Sequence, residues 1–245
     1  MKKLIILIVL CLCITNTGNA QKKCQYVTYV NSYNLDFDDP RNELKDVNGK
    51  EIQKSNDQPA NGVNCTYADE HFLSEIPYKN GKKEGTGKIY HRNGKILNEI
   101  PYKNGIIEGI SKFYYESGKL QEENPYKNGA LEGITKIYNE NGKLEREISY
   151  KNNKYEGITK IYDANGKLTN EVPYKDDKVD GIAKVYYESG RIKSENLNKN
   201  GLNGRIEARI LYRDDKVVSG FCGNGRAFTP EELIDWENGR TIDCN

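Results

Sequence analysis

Acidic side chains recur every 24 residues through the middle of this 245-residue chain. They are Glu84, Glu108, Glu132, Glu156 and Asp180. Two carboxylates on either side of a glycosidic bond can hydrolyse it, one as general acid and the other as base or nucleophile. Catalysis, however, needs one preorganised constellation, whereas these residues are copied evenly along the chain. The pattern therefore favours a repeated surface, and we predict no catalytic residue and no enzymatic activity.

Histidine, cysteine and the remaining acidic residues offer little further chemistry. His71 and His91 have no partner at a fixed repeat position, and the chain contains no hydrolase, zinc-protease or nucleotide-binding motif. An acidic stretch at 36–43 carries oxygen ligands that suit Ca²⁺, but it lacks the glycine and distal glutamate of an EF-hand, so a solvated loop is the preferred interpretation. We predict no metal site and no cofactor.

The N-terminus predicts export. Two lysines precede an apolar run from Leu4 to about Ile14, and small residues end at Ala20, which is the layout of a secretory signal peptide. The apolar run is shorter than the roughly 20 residues that a membrane-spanning helix needs. We expect cleavage after Ala20 and a mature protein that is periplasmic, exposed on the cell surface or secreted.

A 24-residue unit repeats without slippage from Pro77 to Glu195. Each unit contains two turn signals, KNG and NGK or SGK, because glycine and often asparagine accept a positive φ. The glycines and prolines would interrupt a helix. The predicted fold is all-β, an elongated single-layer antiparallel sheet of stacked 24-residue β-hairpin repeats with a short C-terminal capping helix.

The same pattern divides the chain into four parts. They are a signal peptide at 1–20, an N-terminal cap region at 21–61, hairpin repeats at 62–212 with a clean core at 76–195, and a C-terminal cap at 213–245.

The C-terminal cap contains a sequence typical of a short helix. Thr229 suits the N-cap, Pro230 the first helical position and Glu232 the reciprocal capping-box position. We expect Leu233 and Trp236 of this helix to cover an open sheet edge, which would otherwise invite aggregation.

Four cysteines follow the predicted signal peptide, two before the repeats and two after them. An even number in an exported chain suggests disulfides. Five hairpins in line would extend roughly 48 Å, far beyond the reach of a disulfide. The predicted pairs are therefore Cys24–Cys65 and Cys222–Cys244, one at each end.

Tyrosine occurs at two positions in each unit, and these residues form the candidate binding stripe. They are Tyr78, Tyr90, Tyr102, Tyr114, Tyr126, Tyr138, Tyr150, Tyr162, Tyr174 and Tyr186. An uncovered stripe of this kind would be a contact surface. The alternative is that the sheet curls and the rings pack only against one another.

The length of the first hairpin loop decides which residues share a face. A two-residue loop at 104–105 would pair Tyr102 with Ile107. A three-residue loop with a left-handed glycine would instead pair Tyr102 with Glu108, and Ile100 with Ile110. We prefer the three-residue loop, because it places the aliphatic residues and both tyrosine series on one face.

The unit E-G-x-x-K-x-Y-x-x-x-G-K-L stands in this chain as EGISKFYYESGKL, EGITKIYNENGKL and EGITKIYDANGKL. It resembles MORN-type repeats, specifically the bacterial MORN-variant family, over about residues 62–212. The resemblance implies an elongated sheet that acts as an interaction scaffold. Some bacterial variant-repeat proteins are catalogued as antitoxin-like, which implies binding to a toxin protein.

The bulk composition narrows the choice of partner. Charged residues make up 30% of the chain, yet the formal net charge is only +1. This balance excludes a general nucleic-acid binder and does not support contact with anionic lipids. We expect an exported, non-catalytic scaffold for another macromolecule, either a protein or a cell-envelope glycan. The alternatives are an antitoxin-like or immunity-like inhibitor of one protein, and a secreted carbohydrate-active enzyme.

Overall fold

The computed structural model describes residues 24–30, 44–47, 50–53, 58–68, 71–198, 208–214, 216–240 and 242–244. The predicted signal peptide at 1–20 and the acidic stretch at 36–43 lie outside these residues. Within the described ranges, no helix is both long and apolar enough to cross a membrane.

Within the described residues, almost all regular structure is β-strand, and one helix, α1, follows at Pro230–Glu237. The strands before the clean repeats are β1 Tyr26–Val30, β2 Leu44–Val47, β3 Lys50–Gln53, β4 Gly62–Ala68 and β5 His71–Lys79. The next are β6 Lys82–Lys83, β7 Gly85–Tyr90, β8 Ile96–Lys103, β9 Ile106–Ile107, β10 Gly109–Tyr114, β11 Leu120–Lys127, β12 Ala130–Leu131 and β13 Gly133–Tyr138. The last are β14 Leu144–Lys151, β15 Lys154–Tyr155, β16 Gly157–Tyr162, β17 Leu168–Lys175, β18 Lys178–Val179, β19 Gly181–Tyr186, β20 Ile192–Asn198, β21 Ala208–Arg213 and β22 Lys216–Cys222.

The main sheet grows in chain order. From β4 to β22, consecutive long strands pair antiparallel, and each two-residue strand pairs with the long strand before it. Strand β1 adds to β4 in parallel, and β2 and β3 form a separate hairpin. The predicted open antiparallel sheet of 24-residue hairpin repeats with a C-terminal helix is confirmed.

The loop that controls the faces has two residues, so the preferred three-residue loop is wrong. Asn104 and Gly105 have φ values of 53° and 91°, and Tyr102 lies opposite Ile107. Such a turn matches the twist of the flanking strands, and Asn-Gly can adopt positive φ at both central positions. A three-residue loop with a left-handed glycine occurs at the other turn, where Gly118 donates to Tyr115 O at 2.7 Å and Tyr115 N donates to Lys119 O at 2.9 Å.

A β-bulge follows each two-residue loop and accounts for the recurring glycine. In the third clean repeat, the four residues 132–135 lie opposite only two residues, 124–125, of the partner strand. The Glu132 amide donates to Pro125 O at 3.0 Å. The next residue, Gly133, has a φ of 118°, and a Cβ there would lie 3.2 Å from Pro125 Cγ. Glycine is therefore required both by the backbone conformation and by the proline ring beside it.

The bulge adds two residues, so it keeps the side-chain parity that the two-residue loop sets. Beyond it, Lys112 lies opposite Glu99, so Ser111, rather than the predicted Ile110, lies opposite Ile100. Because paired residues point to the same side of a sheet, Ile100 and Ile110 lie on opposite faces. We call the side that carries Ser111 the serine face and the side that carries Ile110 the isoleucine face.

The two tyrosine series consequently lie on opposite faces, which corrects the predicted single stripe. The serine face carries Tyr78, Tyr102, Tyr126, Tyr150 and Tyr174. The isoleucine face carries Tyr90, Tyr114, Tyr138, Tyr162 and Tyr186.

The serine face forms a thin core within the sheet. Ser111 and Thr135 are 2% and 1% exposed, and Thr135 Oγ1 donates to Asn124 Oδ1 at 2.8 Å. A Cβ on Gly87 would lie 3.0 Å from Tyr102 Cε2, so this ring covers the small residue on the neighbouring strand. The serine-face tyrosines thus pack over small side chains.

Both predicted disulfides, Cys24–Cys65 and Cys222–Cys244, are present. The first joins Cys65 of β4 to Cys24, two residues before the start of β1. The second joins the end of β22 to the segment that follows α1. The repeats between them contain no cross-link, and each disulfide stabilises one end of the sheet.

Helix α1 begins as the sequence predicts but packs elsewhere. The Thr229 side chain accepts from Glu232 N, and Glu232 reciprocates at the Thr229 amide. The Arg226 guanidinium and the Thr229 amide hold the pKa of Glu232 at about 2. Leu233 and Trp236 pack on the isoleucine face rather than over the sheet edge, since Trp236 Nε1 donates to Glu195 Oε2 of β20 at 3.0 Å.

The free edge of β22 is instead paired by the chain that leads into the helix. Cys222 N donates to Arg226 O at 2.8 Å, and Phe228 N donates to Gly220 O at 2.7 Å. Because these backbone bonds already cover the edge, the apolar side of α1 is available for the adjoining face.

Candidate functional site: the isoleucine face

Four isoleucines at equivalent repeat positions leave much of their surface exposed. Ile110, Ile134, Ile158 and Ile182 are 55%, 50%, 48% and 40% exposed. On the neighbouring strands they lie opposite Pro125, Ser149, Pro173 and Leu197. We call these eight residues the isoleucine row. Successive isoleucines are separated by two strands, or roughly 9.6 Å.

A row of alternating charges runs beside the isoleucine row on the same face. The lysines of this charge row lie opposite glutamates in the pairs Lys88–Glu99, Lys112–Glu123, Lys136–Glu147, Lys160–Glu171 and Lys184–Glu195. Two of these pairs have ammonium-to-carboxylate distances of 3.8 and 4.0 Å, with lysine side chains 41% and 37% exposed. The charge row is therefore strongly charged locally but has no net sign.

The isoleucine-face tyrosines hydrogen-bond to these glutamates. Each hydroxyl donates to the glutamate one hairpin earlier, in the pairs Tyr90–Glu75, Tyr114–Glu99, Tyr138–Glu123, Tyr162–Glu147 and Tyr186–Glu171, at 2.7–3.2 Å. Tyr212 makes the same bond to Glu195 at 2.6 Å. The sequence reading missed this member, because the clean period ends at Glu195.

The tyrosine–glutamate bonds have a measurable pH signature. Burial, the hydrogen bond to Glu99 and the charge of that carboxylate raise the pKa of Tyr114 from 10.0 to about 12. A raised pKa in the folded state means that the phenol stabilises the fold fully below pH 10 and loses this contribution as pH rises from about 10 to about 12. We expect the phenolate absorbance of the wild type minus that of Tyr114→Phe to titrate near pH 12.

Glu99→Gln is the matching variant for this titration. It removes the charge while keeping an acceptor, and should move the Tyr114 midpoint towards 10. Far-UV circular dichroism recorded in parallel shows whether the chain is still folded. A Tyr114 midpoint near 10 in the folded wild type would contradict the hydrogen-bonded arrangement.

The carboxylates that recur every 24 residues hold turns rather than forming a catalytic pair. Their Oε2 atoms accept from the backbone amide of the next repeat's loop, in the pairs Glu84–Asn104, Glu108–Asn128, Glu132–Asn152 and Glu156–Asp176, at 2.6–3.1 Å. His91 likewise joins two repeats, with Nε2 lying 2.9 Å from Tyr114 O. These side chains align consecutive hairpins.

The described residues contain no metal-binding cluster, and a cleft beside α1 marks one end of the isoleucine row. Within the described part of the chain, no three His, Cys, Asp or Glu side chains are close enough to hold a metal ion. A cleft of about 510 Å³ lies where the isoleucine row meets the end of α1, lined in part by Ile182, Leu197, Trp236 and Arg240. The helix therefore bounds the row at its C-terminal end.

Each 24-residue repeat therefore consists of a two-residue loop, a bulge and a three-residue loop that connect antiparallel strands. The pattern that describes the MORN repeat variant matches residues 83–104, 107–128, 131–152, 155–176 and 179–200. Residues 83–200 are MORN repeat variants. MORN repeats are generally non-enzymatic and suggest a repeat-type binding scaffold.

Other comparisons add little to the MORN assignment. No curated protein matches the chain. A solved structure described as "Crystal Structure of TarM" is similar at 12% identity and a TM-score of 0.32, over 40% of this chain and 19% of that one. The chain thus spans about a fifth of that protein's length, and so low a TM-score carries no argument.

The structure moves the most exposed apolar surface from the predicted tyrosine stripe to the isoleucine row. The binding role of the ten tyrosines stays a prediction, but five of them pack within the serine face and five donate to glutamates. The isoleucines were visible in the sequence as a fixed position after the Glu-Gly or Asp-Gly pair of four units. Their exposure was missed because the wrong loop length placed them on the same face as Ile100.

Proposed function

We propose that this MORN-repeat protein is a non-catalytic scaffold that binds another macromolecule through the isoleucine row. The observation that carries the proposal is the 40–55% exposure of four aligned isoleucines in a chain with a mean hydropathy of −0.84. A contiguous apolar patch on a polar surface usually marks an interaction site. Covering each isoleucine fully would contribute about 1.5–3 kcal/mol relative to full exposure, and somewhat less from the half-exposed state.

Two observations support the non-catalytic part of the proposal. The carboxylates that could have formed a glycosidase pair accept backbone amides from the adjoining loops. The remaining isoleucine-face glutamates accept tyrosine hydroxyls or pair with lysines. Each carboxylate set thus has a structural role that explains its period.

We further propose that the scaffold works outside the cytoplasm. The two disulfides support this location, because such cross-links persist mainly in oxidising compartments. A tagged chain fractionated from its native cell should be found in the periplasmic, surface or secreted fraction. Retention of the tagged protein in the cytoplasm, with its cysteines reduced, would contradict the proposal.

The scaffold function is tested by removing the row without unfolding the sheet. In one variant, Ile110, Ile134 and Ile158 are replaced by serine; serine occurs naturally in the row at Ser149. The control replaces three exposed apolar residues outside the row, Ile106, Val218 and Ile234, with serine. Immobilised full-length proteins are exposed to cell-envelope extract, and a captured macromolecule is then purified and titrated.

We expect saturable binding to the wild type and the control, and at least a hundredfold weaker binding to the row variant. Circular dichroism must show the same strand content in all three proteins. Equal affinity for the row variant and the wild type would overturn the proposed role of the isoleucine row.

A further inference from the structure

We propose that the macromolecule that covers the isoleucine row is a second copy of this chain, bound face to face about a two-fold axis. The inference rests on the proposed function, since it names the occupant of the same surface. Its basis is that the rows on this face are self-complementary. A symmetric dimer uses the same patch on both copies, so the patch must be complementary to itself after a rotation of 180°.

The charge row meets this requirement. Lysine-bearing strands alternate with glutamate-bearing strands from Lys88 to Glu195. A two-fold axis that runs parallel to the strands and passes between two neighbours places every lysine strand opposite a glutamate strand. An axis between β10 and β11, for example, brings Lys112 against Glu123 of the second copy. It also brings Lys88 against Glu147, and Lys136 against Glu99.

The isoleucine row is complementary about the same axis. Ile110 would face Pro125 of the second copy, and Ile134 would face Pro101. Ile158 would face Pro77, so each of these three exposed branched side chains meets a smaller, rigid proline instead of another isoleucine. Two sheets that pack face to face lie about 10 Å apart, and interdigitation of large and small residues fills that space.

The C-terminal helix favours this particular axis. Helix α1 lies on the isoleucine face over β20–β22 and protrudes by about 10 Å, the thickness of a helix. A second sheet cannot occupy the same place. With the axis between β10 and β11, β19 of one copy lies over β1 of the other, and both helices lie just beyond the partner sheet. The helices then act as stops that set the register of the dimer.

The available area suits a stable dimer. From β1 to β19 the face measures roughly 58 Å across the strands and about 20 Å along them, which corresponds to about 1,100 Å² per copy. A standard specific interface buries about 800 Å² per partner. Because the charge row has no net sign, a polyanion or an anionic membrane gains no comparable electrostatic match.

Two charge-swapped chains test the proposal. In the negative chain, Lys88, Lys112 and Lys136 are replaced by glutamate. In the positive chain, Glu99, Glu123 and Glu147 are replaced by lysine. Either chain alone would place like charges opposite one another, whereas a mixture would restore opposite charges. The matched control replaces three exposed lysines in the loops between strands, Lys119, Lys143 and Lys167, with glutamate, outside the charge row.

Sedimentation velocity and light scattering on the full chain give the readout. We expect the wild type and the loop control to have twice the monomer mass, each charge-swapped chain to be monomeric at low salt, and an equal mixture to form a one-to-one heterodimer. In the positive chain, the tyrosine hydroxyls lose the glutamate carboxylates to which they donate. Circular dichroism therefore checks whether this chain still folds. If that chain unfolds, the negative chain and the isoleucine-to-serine variant still decide the matter, since a dimer that persists in both overturns the proposal.

A wild type that stays monomeric across a hundredfold concentration range also overturns the second-copy proposal. This outcome is distinct from failure of the scaffold function. If the wild type is monomeric and a different captured protein still depends on the isoleucine row, the scaffold stands and its partner is that protein. If the wild type is monomeric and the isoleucine-to-serine variant captures the same protein as well as the wild type does, both proposals fail.

Discussion

Ile210→Ala is expected to lower the free energy of unfolding of the C-terminal cap by about 3 kcal/mol. Ile210 is 0% exposed and lies in a cluster with Ala208, Cys222, Phe228 and Ile242, which Leu233 and Trp236 of α1 cover. A Cβ on Gly220 would lie 2.9 Å from Ile210 Cδ1, so the side chain fills its site closely. Removal of three carbon atoms leaves a cavity that the disulfide-linked surroundings can only partly close.

Trp236 is the single tryptophan, so its fluorescence during urea unfolding reports on this cluster alone. The matched control is Ile158→Ala, because Ile158 is 48% exposed and the substitution creates no cavity. In the monomeric state we expect the control to change stability by less than about 0.5 kcal/mol. Equal losses from the two variants would show that the cap cluster is not a packed core.

The double substitution Cys222→Ala and Cys244→Ala should destabilise the same cap by about 3 kcal/mol. The disulfide closes a loop with a sequence separation of 22 residues, and its loss frees the tail after α1 in the unfolded ensemble. In the folded state, Arg226 still holds the tail through Asp243 O at 2.9 Å and pairs with Glu232 at 2.9 Å. The cap should therefore keep its fold but unfold at lower urea concentration, again monitored by Trp236.

The corresponding control is Cys24→Ala with Cys65→Ala at the opposite end of the sheet. That disulfide spans a longer separation of 41 residues, yet it should leave the Trp236 transition almost unchanged. In a repeat array each unit contacts only its neighbours, so stability is transmitted weakly over many strands. A Trp236 transition that shifts equally in both double variants would instead indicate one cooperative unit.

The two cap predictions also bear on the proposed dimer. Helix α1 limits the isoleucine row at Ile182 and Leu197, and its position depends on Trp236 binding Glu195. If loosening the cap releases α1 from the face, the register that the helices impose would be lost. The cap and the interaction surface are thus structurally linked, although they occupy different strands.

Much of the architecture followed from local patterns. The 24-residue period, the turn dipeptides and the recurring glycines predicted stacked hairpins, because each signal reflects a backbone conformation that only a few residue types adopt. Thr229, Pro230 and Glu232 predicted the start of α1 for the same reason. The disulfide pairs followed from geometry, since five stacked hairpins keep the two ends far apart.

The candidate site was less accessible to the same reasoning. Which residues share a face depends on the exact count between paired strands, and a change of one residue in the loop length reverses it. Every unit contains an acidic residue followed by glycine, but this pair does not distinguish a three-residue loop from a two-residue loop followed by a two-residue bulge. The prediction that joined both tyrosine series on one face failed at this step.

By itself, therefore, the sequence determined the repeat, the antiparallel hairpins, the two terminal disulfides and the capped helix, because turn chemistry and chain length act over a few residues. Only the tertiary structure decided that the isoleucines are exposed, that the tyrosines divide between two faces and that α1 lies on a face instead of an edge. These features depend on strand register and on which surface remains free after the edge is paired, and both are set by contacts between residues distant in the chain.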